Sequence, residues 1–600
     1  MQLPNLTRKG SMDTVNMISQ FAGLNMNERI NEAECFDMKN LTTDMFPVLA
    51  TRKKRGIIKT LEKPQGIIGG RYLGYVDNDK LYYDDIYVCD LEEGGERKLV
   101  MMGAYLCVFP DGVVYNTYDR SLLTIENEVT TTTHPTVTLC KIDGTNFTSD
   151  NCITSDTEPT DKKKYWLDTS QDTVVLKMYS DSYSMWVSVG TTYCKFEAPG
   201  IGVGFKDYDA ADFSGVDTDK TYNNWDFNQS NLIYKAGEDY LIVAGLIDKV
   251  FTNSRNITVK RKMPKMDFVC ESGNRLFGCS SENHEIYASK LGDPTNWYSY
   301  AGLDSDSYAA TVGTQNVFTA CVAYSGYVLF FKEDGYHKMY GNKPSNFEIV
   351  WKPGRGVQQG SDKSVCVVND TLFFKARDAV CVYDGSCVSI SDKLGFNNYY
   401  DAVAGNYRTK YYVSMRDDAY NYYLYVYDLS KGTWTKEDKK HVYFMAYGNN
   451  GLFMIDYDRN LEVVNNEAIR KRRFPSKTLY PSKALYPGYS DDGTLEEQVE
   501  WFFESGDIGL DSPYEKYIKR LNIRLHLDAR AKVKIEIMYD SSGSWKHLIE
   551  YFATNTRSIE LPVTIERCDH LRLKFTGAGD FKLYSISKVI EGGTGLNGEL

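Results

Sequence analysis

Histidines are the first place to look for chemistry, and here the seven are scattered: His134, His284, His337, His441, His526, His547 and His570. None falls in H-E-x-x-H or H-x-H, the spacings that set two imidazoles on one zinc ion, so packed or surface histidines are expected. Thirteen cysteines run from Cys35 to Cys568 without a C-x-x-C, and the closest pair, Cys381 and Cys387, fits no zinc spacing. Reduced thiols in a protein assembled in cytosol are the expectation. The cluster Gly200-Ile-Gly-Val-Gly204 leads into no helix, so it offers no helix N-terminus to a phosphate. A G-x-x-x-x-G-K-[ST] loop and a G-x-S-x-G elbow are both missing from the sequence. Asp77-Asn-Asp79 and Asp304-Ser-Asp306 pair carboxylates as a Ca²⁺ loop does, but lack the rest of that pattern and read as solvated turns. These residues point to no catalysis, no cofactor and no metal.

Two basic runs stand out against an acidic chain: Arg52-Lys53-Lys54-Arg55 and Arg470-Lys471-Arg472-Arg473. As solvated loops they would do little. As a docking surface they would set register on acidic neighbours in an assembly. Trp166 and Trp186 lie in short apolar runs and are candidates for stacking on sugar rings. The net charge of −12 opposes tight, non-specific nucleic-acid binding, which needs a basic surface. An acidic subunit can still line a conduit through which DNA slides without sticking. The first thirty residues show no basic start followed by an apolar stretch, so no Sec signal is expected. Nor is any run apolar enough to be expected to span a membrane.

The elements that would position these residues are strands. Helical periodicity is scarce, while apolar residues alternate or come in short runs broken by Gly, Asn and Asp. Tyr is abundant, with 46 residues, and suits half-exposed strand faces and subunit contacts alike. The segments 103–116, 328–340 and 371–385 each read as strand, tight turn, strand around an Asp-Gly or similar pair. Hairpin centres recur near 281, 334, 378, 418 and 457, with further units near 65–90 and 100–118. Such regular spacing predicts an all-β chain built on a β-propeller of six to seven blades. Asp428-Leu-Ser-Lys-Gly-Thr-Trp434 fits a blade end, with Trp packing between sheets.

The expected organisation is an N-terminal extended arm over 1–56, first blades over 57–119 and an inserted small β domain over 120–250. Further blades follow over 251–465, then a linker over 466–493 with Pro475, Pro481 and Pro487. A C-terminal β-sandwich is expected over 494–592, where 517–527 and 531–537 alternate, and a flexible tail over 593–600.

Phe21-Ala-Gly-Leu-Asn25, Glu34-Cys-Phe-Asp-Met-Lys-Asn-Leu41 and Phe46-Pro-Val-Leu-Ala-Thr-Arg52 together resemble the N-terminal signature of tailed-bacteriophage propeller proteins, the tail hub, nozzle or stabilisation proteins. Tyr165–Ser170, Pro264–Gly278, Asp293–Trp297, Glu504–Leu510 and Arg567–Leu573 are similar to segments of the same group, in the same order. The resemblance implies a structural virion protein in the tail or neck, assembled in the host cytoplasm as a homo-oligomeric ring, a hexamer. Its partners would be portal, adaptor or other tail proteins and fibres, with double-stranded DNA in passage. It would extend the conduit, help retain the genome and seat other tail parts. Two other functions fit the same elements: a receptor- or glycan-binding tail protein, and a glycan-degrading propeller enzyme.

Overall fold

Alternating and short continuous apolar runs, punctuated by residues that tolerate positive φ, give strands and tight turns throughout. The computed structural model describes residues 14–171, 174–218, 225–464, 496–510, 516–552, 556–563 and 566–592. Among them there is no α-helix, only antiparallel sheet with one parallel pair and three short 3₁₀ turns. The expected linker over 466–493, the run Arg470, Lys471, Arg472, Arg473 and the tail over 593–600 lie outside the described residues. Contacts divide the chain into two units. One is Met1–Glu96, Phe331–Tyr336 and Pro353–Leu600, and the other is Arg97–Phe330 and His337–Lys352.

In the first unit, four sheets of four strands follow one another: 64–90, 366–389, 399–436 and 442–463, the last completed by Gly56–Thr60. That outer strand comes from the far end of the sequence and pairs antiparallel with Asn460–Val463, Asn460 against Thr60 and Val463 against Gly56. Burial within these sheets is graded. The second strands Thr371–Lys375, Lys410–Asp417 and Gly451–Asp456 are covered on both faces, which is why they read as continuous apolar runs. Outer strands such as Ile86–Asp90 and Cys387–Ser389 face solvent.

Thr433–Lys436 departs from that gradient, because it is an outer strand and yet buried along its whole length. Residues 21–40 cover it. Leu24 N–H donates to the Trp434 carbonyl at 2.7 Å, and Asn40 N–H donates to that of Lys436 at 3.1 Å. Gly23 makes this close approach possible, since it sits at φ +81° and a Cβ there would fall 2.3 Å from the Trp434 oxygen. The same segment then enters two C-terminal sheets. Cys35–Lys39 pairs with Glu500–Ser505 in a five-stranded sheet. Thr14–Ile18 and Leu49–Thr51 pair with Phe581–Gly592 in a seven-stranded one. The inner faces of both sheets share one core, including Leu521, Ile523, Ile535, Phe575 and Leu583, which continues to Trp434 and Tyr411. The expected N-terminal extended arm over 1–56 is therefore corrected: from residue 14 onward it forms sheet. An arm of short polar-apolar pieces cannot bury itself, but it adds edges to sheets that already have a core.

In the second unit, the sheets 98–124 and 268–311 share a core of Val100, Cys107, Phe109, Leu276, Tyr287 and Trp297. The sheet of strands Ala320–Tyr324, Tyr327–Lys332, Gly335–Tyr340 and Glu348–Pro353, most of which falls in this unit, follows them. Between 98–124 and 268–311 the chain leaves to form an eight-stranded sheet and a small four-stranded one with their own core around Phe196, Phe213 and Phe227. This insertion reaches past the expected boundary at 250, because Thr258–Arg261 pairs with both Asn127–Thr130 and Ala210–Ser214.

Candidate functional site

The basic run at 52–55 is where sequence and structure meet most directly. The run links the strands Leu49–Thr51 and Gly56–Thr60, and its side chains diverge. Arg52 and Arg55 turn inward and are 5% and 6% exposed, whereas Lys53 is exposed and Lys54 half-buried. Arg52 grips Glu496 with both terminal nitrogens at 2.8 and 2.9 Å, and its Nε donates to Asn40 Oδ1 at 2.8 Å. Arg55 Nη1 donates to both oxygens of Asp438 at 2.9 Å, and Nη2 donates to Glu437. The expectation that this run is a docking surface thus fails for Arg52 and Arg55. Charge-assisted bonds of this kind are strong: the two-pronged Arg52 pair ties the run to Glu496, and Arg55 ties it to Glu437 and Asp438, which directly follow the 399–436 sheet.

The knot continues inward. Lys440 Nζ bridges Asp456 at 2.6 Å and Glu462 at 2.8 Å. Burial pulls the Asp438 carboxyl up, but the guanidiniums of Arg55 and Arg52 outweigh it and hold the group below the usual carboxylate range. Glu462 goes the other way, since its burial outweighs Lys440 and its carboxyl is pushed up. Beside the knot opens a cleft of about 210 Å³ whose lining includes Lys53, Arg408, Lys410, Lys431, Asp44 and Asp428. Lys410 bonds Asp44 at 2.5 Å and Thr42 at 2.9 Å.

Trp166 and Trp186 are 7% and 8% exposed and pack edge to face at 5.5 Å in the small four-stranded sheet of the insertion. They are core residues there, and the expectation of a sugar platform on them is corrected. The paired carboxylates behave as turns: Asp77 accepts the N–H groups of Glu62 and Lys63, and Asp306 those of Gly302 and Leu303.

Two arrangements have no local signal in the sequence. Ser541 Oγ lies 2.8 Å from His570 Nε2, and His570 Nδ1 lies 3.0 Å from Asp569 Oδ2. That is the polarity of a base-activated serine. Yet the Asp569 carboxylate is 46% exposed, and Asp507 Oδ1 stands 3.8 Å from Nε2, on the side where the hydroxyl proton would go. Asp540 Oδ1 also accepts the N–H groups of Asp569 and His570, so the trio clasps two loops together. The second arrangement is a groove of about 340 Å³ on the outer face of the five-stranded C-terminal sheet. It is lined by Phe502 and Phe552 among Lys39, Lys534, Glu500 and Glu550. Strand register sets Lys39, Phe502, Thr576, Lys534 and Glu550 in one row across that face.

No known family model matches the chain, and no curated protein does. Among solved structures, exo-β-1,3-galactanase from Phanerochaete chrysosporium is similar at 8% identity, covering 53% of this chain and 94% of its own, with a TM-score of 0.19. Hsv2 of Kluyveromyces lactis is similar at 11% identity, over 54% and 95%, with a TM-score of 0.25. Puromycin hydrolase is similar at 7% identity, over 66% and 58%, with a TM-score of 0.21. Likenesses of this size carry no functional argument. The expectation of a chain without catalysis is corrected to this extent only: a galactanase and a hydrolase stand among the similar structures. Among the described residues no helix is long and apolar enough to cross a membrane, which says nothing about β-barrels.

Proposed function

We propose that this chain is a structural subunit of a tailed-bacteriophage particle, a ring-forming tail hub or nozzle protein. In this reading its core is a β-propeller of six to seven blades, carrying an inserted β domain and a C-terminal β-sandwich. The observation that carries the reading is the placement of residues 21–52, the segment with the phage-like signature. Its Gly23, Asn40 and Arg52 each make a contact that joins the start of the chain to distant residues: Gly23 lies against the Trp434 carbonyl, Asn40 donates to the Glu500 carbonyl and Arg52 pairs with Glu496. A resemblance concentrated in mortar residues is a resemblance in architecture. Outside the insertion the described residues hold seven sheets of four strands, and their covered second strands and a last sheet completed from the N-terminal side support the propeller. Exposed Tyr87, Tyr118, Tyr420 and Tyr457 supply the amphipathic area that ring contacts use. Mass spectrometry and cryo-electron microscopy of purified particles test the proposal, with this chain expected as a ring in the tail or neck. Particles that lack the chain, or that keep their DNA and infect normally without it, would refute it.

The groove over Phe502 and Phe552 favours a second reading, a receptor- or glycan-binding tail protein, because aromatic faces flanked by charged hydrogen-bonding groups suit a sugar chain. A glycan array with the whole protein tests it. Binding that Phe502→Ala abolishes supports it, and silence across bacterial surface glycans removes it. Incubating the same glycans with the protein and measuring released sugar tests the glycan-degrading alternative.

A further inference from the structure

All thirteen cysteines are free. Cys270 and Cys321 stand in direct sulfur–sulfur contact. Their sulfurs are 3.0 Å apart, closer than the roughly 3.5–4.0 Å at which even carbon atoms rest. Cys270 lies on Phe268–Ser272 and Cys321 on Ala320–Tyr324, the first strands of two consecutive four-stranded sheets. Both are half-buried, at the margin of a core that holds Phe277, Cys279, Phe330 and Met339 between those sheets. A disulfide has a length of about 2.05 Å, so closing one here asks each sulfur to move by about half an ångström. The remaining neighbour, Cys279, is fully buried and points its thiol at the Phe268 carbonyl.

We infer that Cys270 and Cys321 form an oxidation site that staples the two sheets together in an oxidising medium and stays open in a reducing one. The co-reactant is a small-molecule disulfide of the glutathione class. One protein thiolate attacks a sulfur of that reagent, breaking its S–S bond and releasing one small thiolate. The second protein thiolate then attacks the mixed disulfide, the Cys270–Cys321 bond forms, and the second small thiolate leaves. The two protons from the protein thiols end on the two released small thiols. The protein loses two electrons and the reagent gains two. Burial and the neighbouring Cys270 push the Cys321 thiol up, which makes closure slow near neutral pH and faster in alkali. The staple closes a loop of 51 residues, long enough for a clear gain in stability.

The test uses full-length protein incubated with oxidised glutathione, then unfolded in a thiol-blocking denaturant. Titratable thiols should fall by two from thirteen. Non-reducing peptide maps should show one Cys270–Cys321 cross-link, and the melting temperature should rise by several degrees and return with dithiothreitol. Cys270→Ser and Cys321→Ser should each abolish the cross-link and the shift. Serine is close to cysteine in size at these half-buried positions, and the wild-type peptide map decides the matter even if a variant misfolds. A full complement of thiols after oxidation overturns the inference. So does a stable glutathione adduct, or a cross-link through Cys279.

Discussion

Replacing Arg55 by Met keeps the unbranched apolar stem and deletes the guanidinium and its charge from the knot. Arg55 is 6% exposed, its Nη1 holds both oxygens of Asp438, and its Nη2 holds Glu437. Deleting one partner of a buried pair costs about 3–5 kcal/mol, because the other charge stays desolvated. Asp438 is 26% exposed and keeps Arg52 at 3.6 Å, which places the expected loss near the lower end, about 3 kcal/mol. Spread over a unit of this size, that corresponds to a fall of about 4 °C in its transition. The sign of the pH dependence follows from Asp438. Held below its usual range in the wild type, it contributes stability that is complete above the ordinary carboxylate range and is lost as pH falls through the lowered value. Without Arg55 its chief attraction is gone and burial dominates, so the carboxyl moves up and favours the protonated form. The variant's deficit should therefore be largest near pH 7.5 and shrink toward pH 5. A double variant, Arg55→Met with Asp438→Leu, should recover part of the loss. Urea titrations at the two pH values measure this. A deficit below about 1 kcal/mol at pH 7.5, or one that does not change with pH, would refute the idea that this basic run is spent inside the fold.

Gly23→Ala should cost more than about 2 kcal/mol, seen as a lowered melting temperature, because it combines a left-handed φ with a Cβ 2.3 Å from the Trp434 oxygen. Trp166→Ala should destabilise the insertion by about 3–5 kcal/mol in hydrogen exchange while leaving any glycan-array signal unchanged, since the indole is buried against Trp186. His441 stacks on Tyr422 at 3.6 Å, and burial holds its imidazole below the usual histidine range. The stability it contributes is complete above about pH 6.5 and is lost as pH falls through its lowered value, so His441→Phe should flatten the stability curve below pH 6.5.

The parts of the fold that were legible in the sequence are those specified locally. Turns between the second and third strands fall at the expected hairpin centres, as at Ser281–His284, at Asp334 and at Asp417–Asn421. Positive φ at these turns falls on His284, Gly335 and Tyr420, whereas Gly, Asn and Asp carry it between first and second strands, as at Gly273–Asn274 and Asn369–Asp370. The broken rhythm after residue 120 coincides with the place where the chain leaves the 98–124 sheet. Its true end was hidden because Thr258–Arg261 alternates like any other strand, and only its partners at 127–130 and 210–214 assign it. The basic run shows the same limit more sharply. Arg52 and Arg55 look like solvated charge, since Glu437, Asp438 and Glu496 stand hundreds of residues away. Trp166 resembles a sugar platform for a similar reason, as neither the covering Trp186 nor the Ser155 carbonyl that takes its N–H can be inferred from neighbours in sequence.

Those distant pairings impose an order on how the first unit is completed. Gly56–Thr60 is the fourth strand of the 442–463 sheet, Thr14–Ile18 needs Phe581–Gly592, and Cys35–Lys39 needs Glu500–Ser505. None of these edges can be closed until both ends of the chain are present. Contacts of such sequence separation carry a loop-closure cost before they return any stability, which slows the final step of folding. Once made, they leave the early strands with no independent way to detach. Releasing residues 14–40 exposes the buried Thr433–Lys436 strand and strips the cover from Trp434, while releasing Arg52 and Arg55 strands the carboxylates of Glu437, Asp438 and Glu496 together. The segment's apolar contacts and its ion pairs thus fail at the same time. That coupling makes this unit fold as a whole.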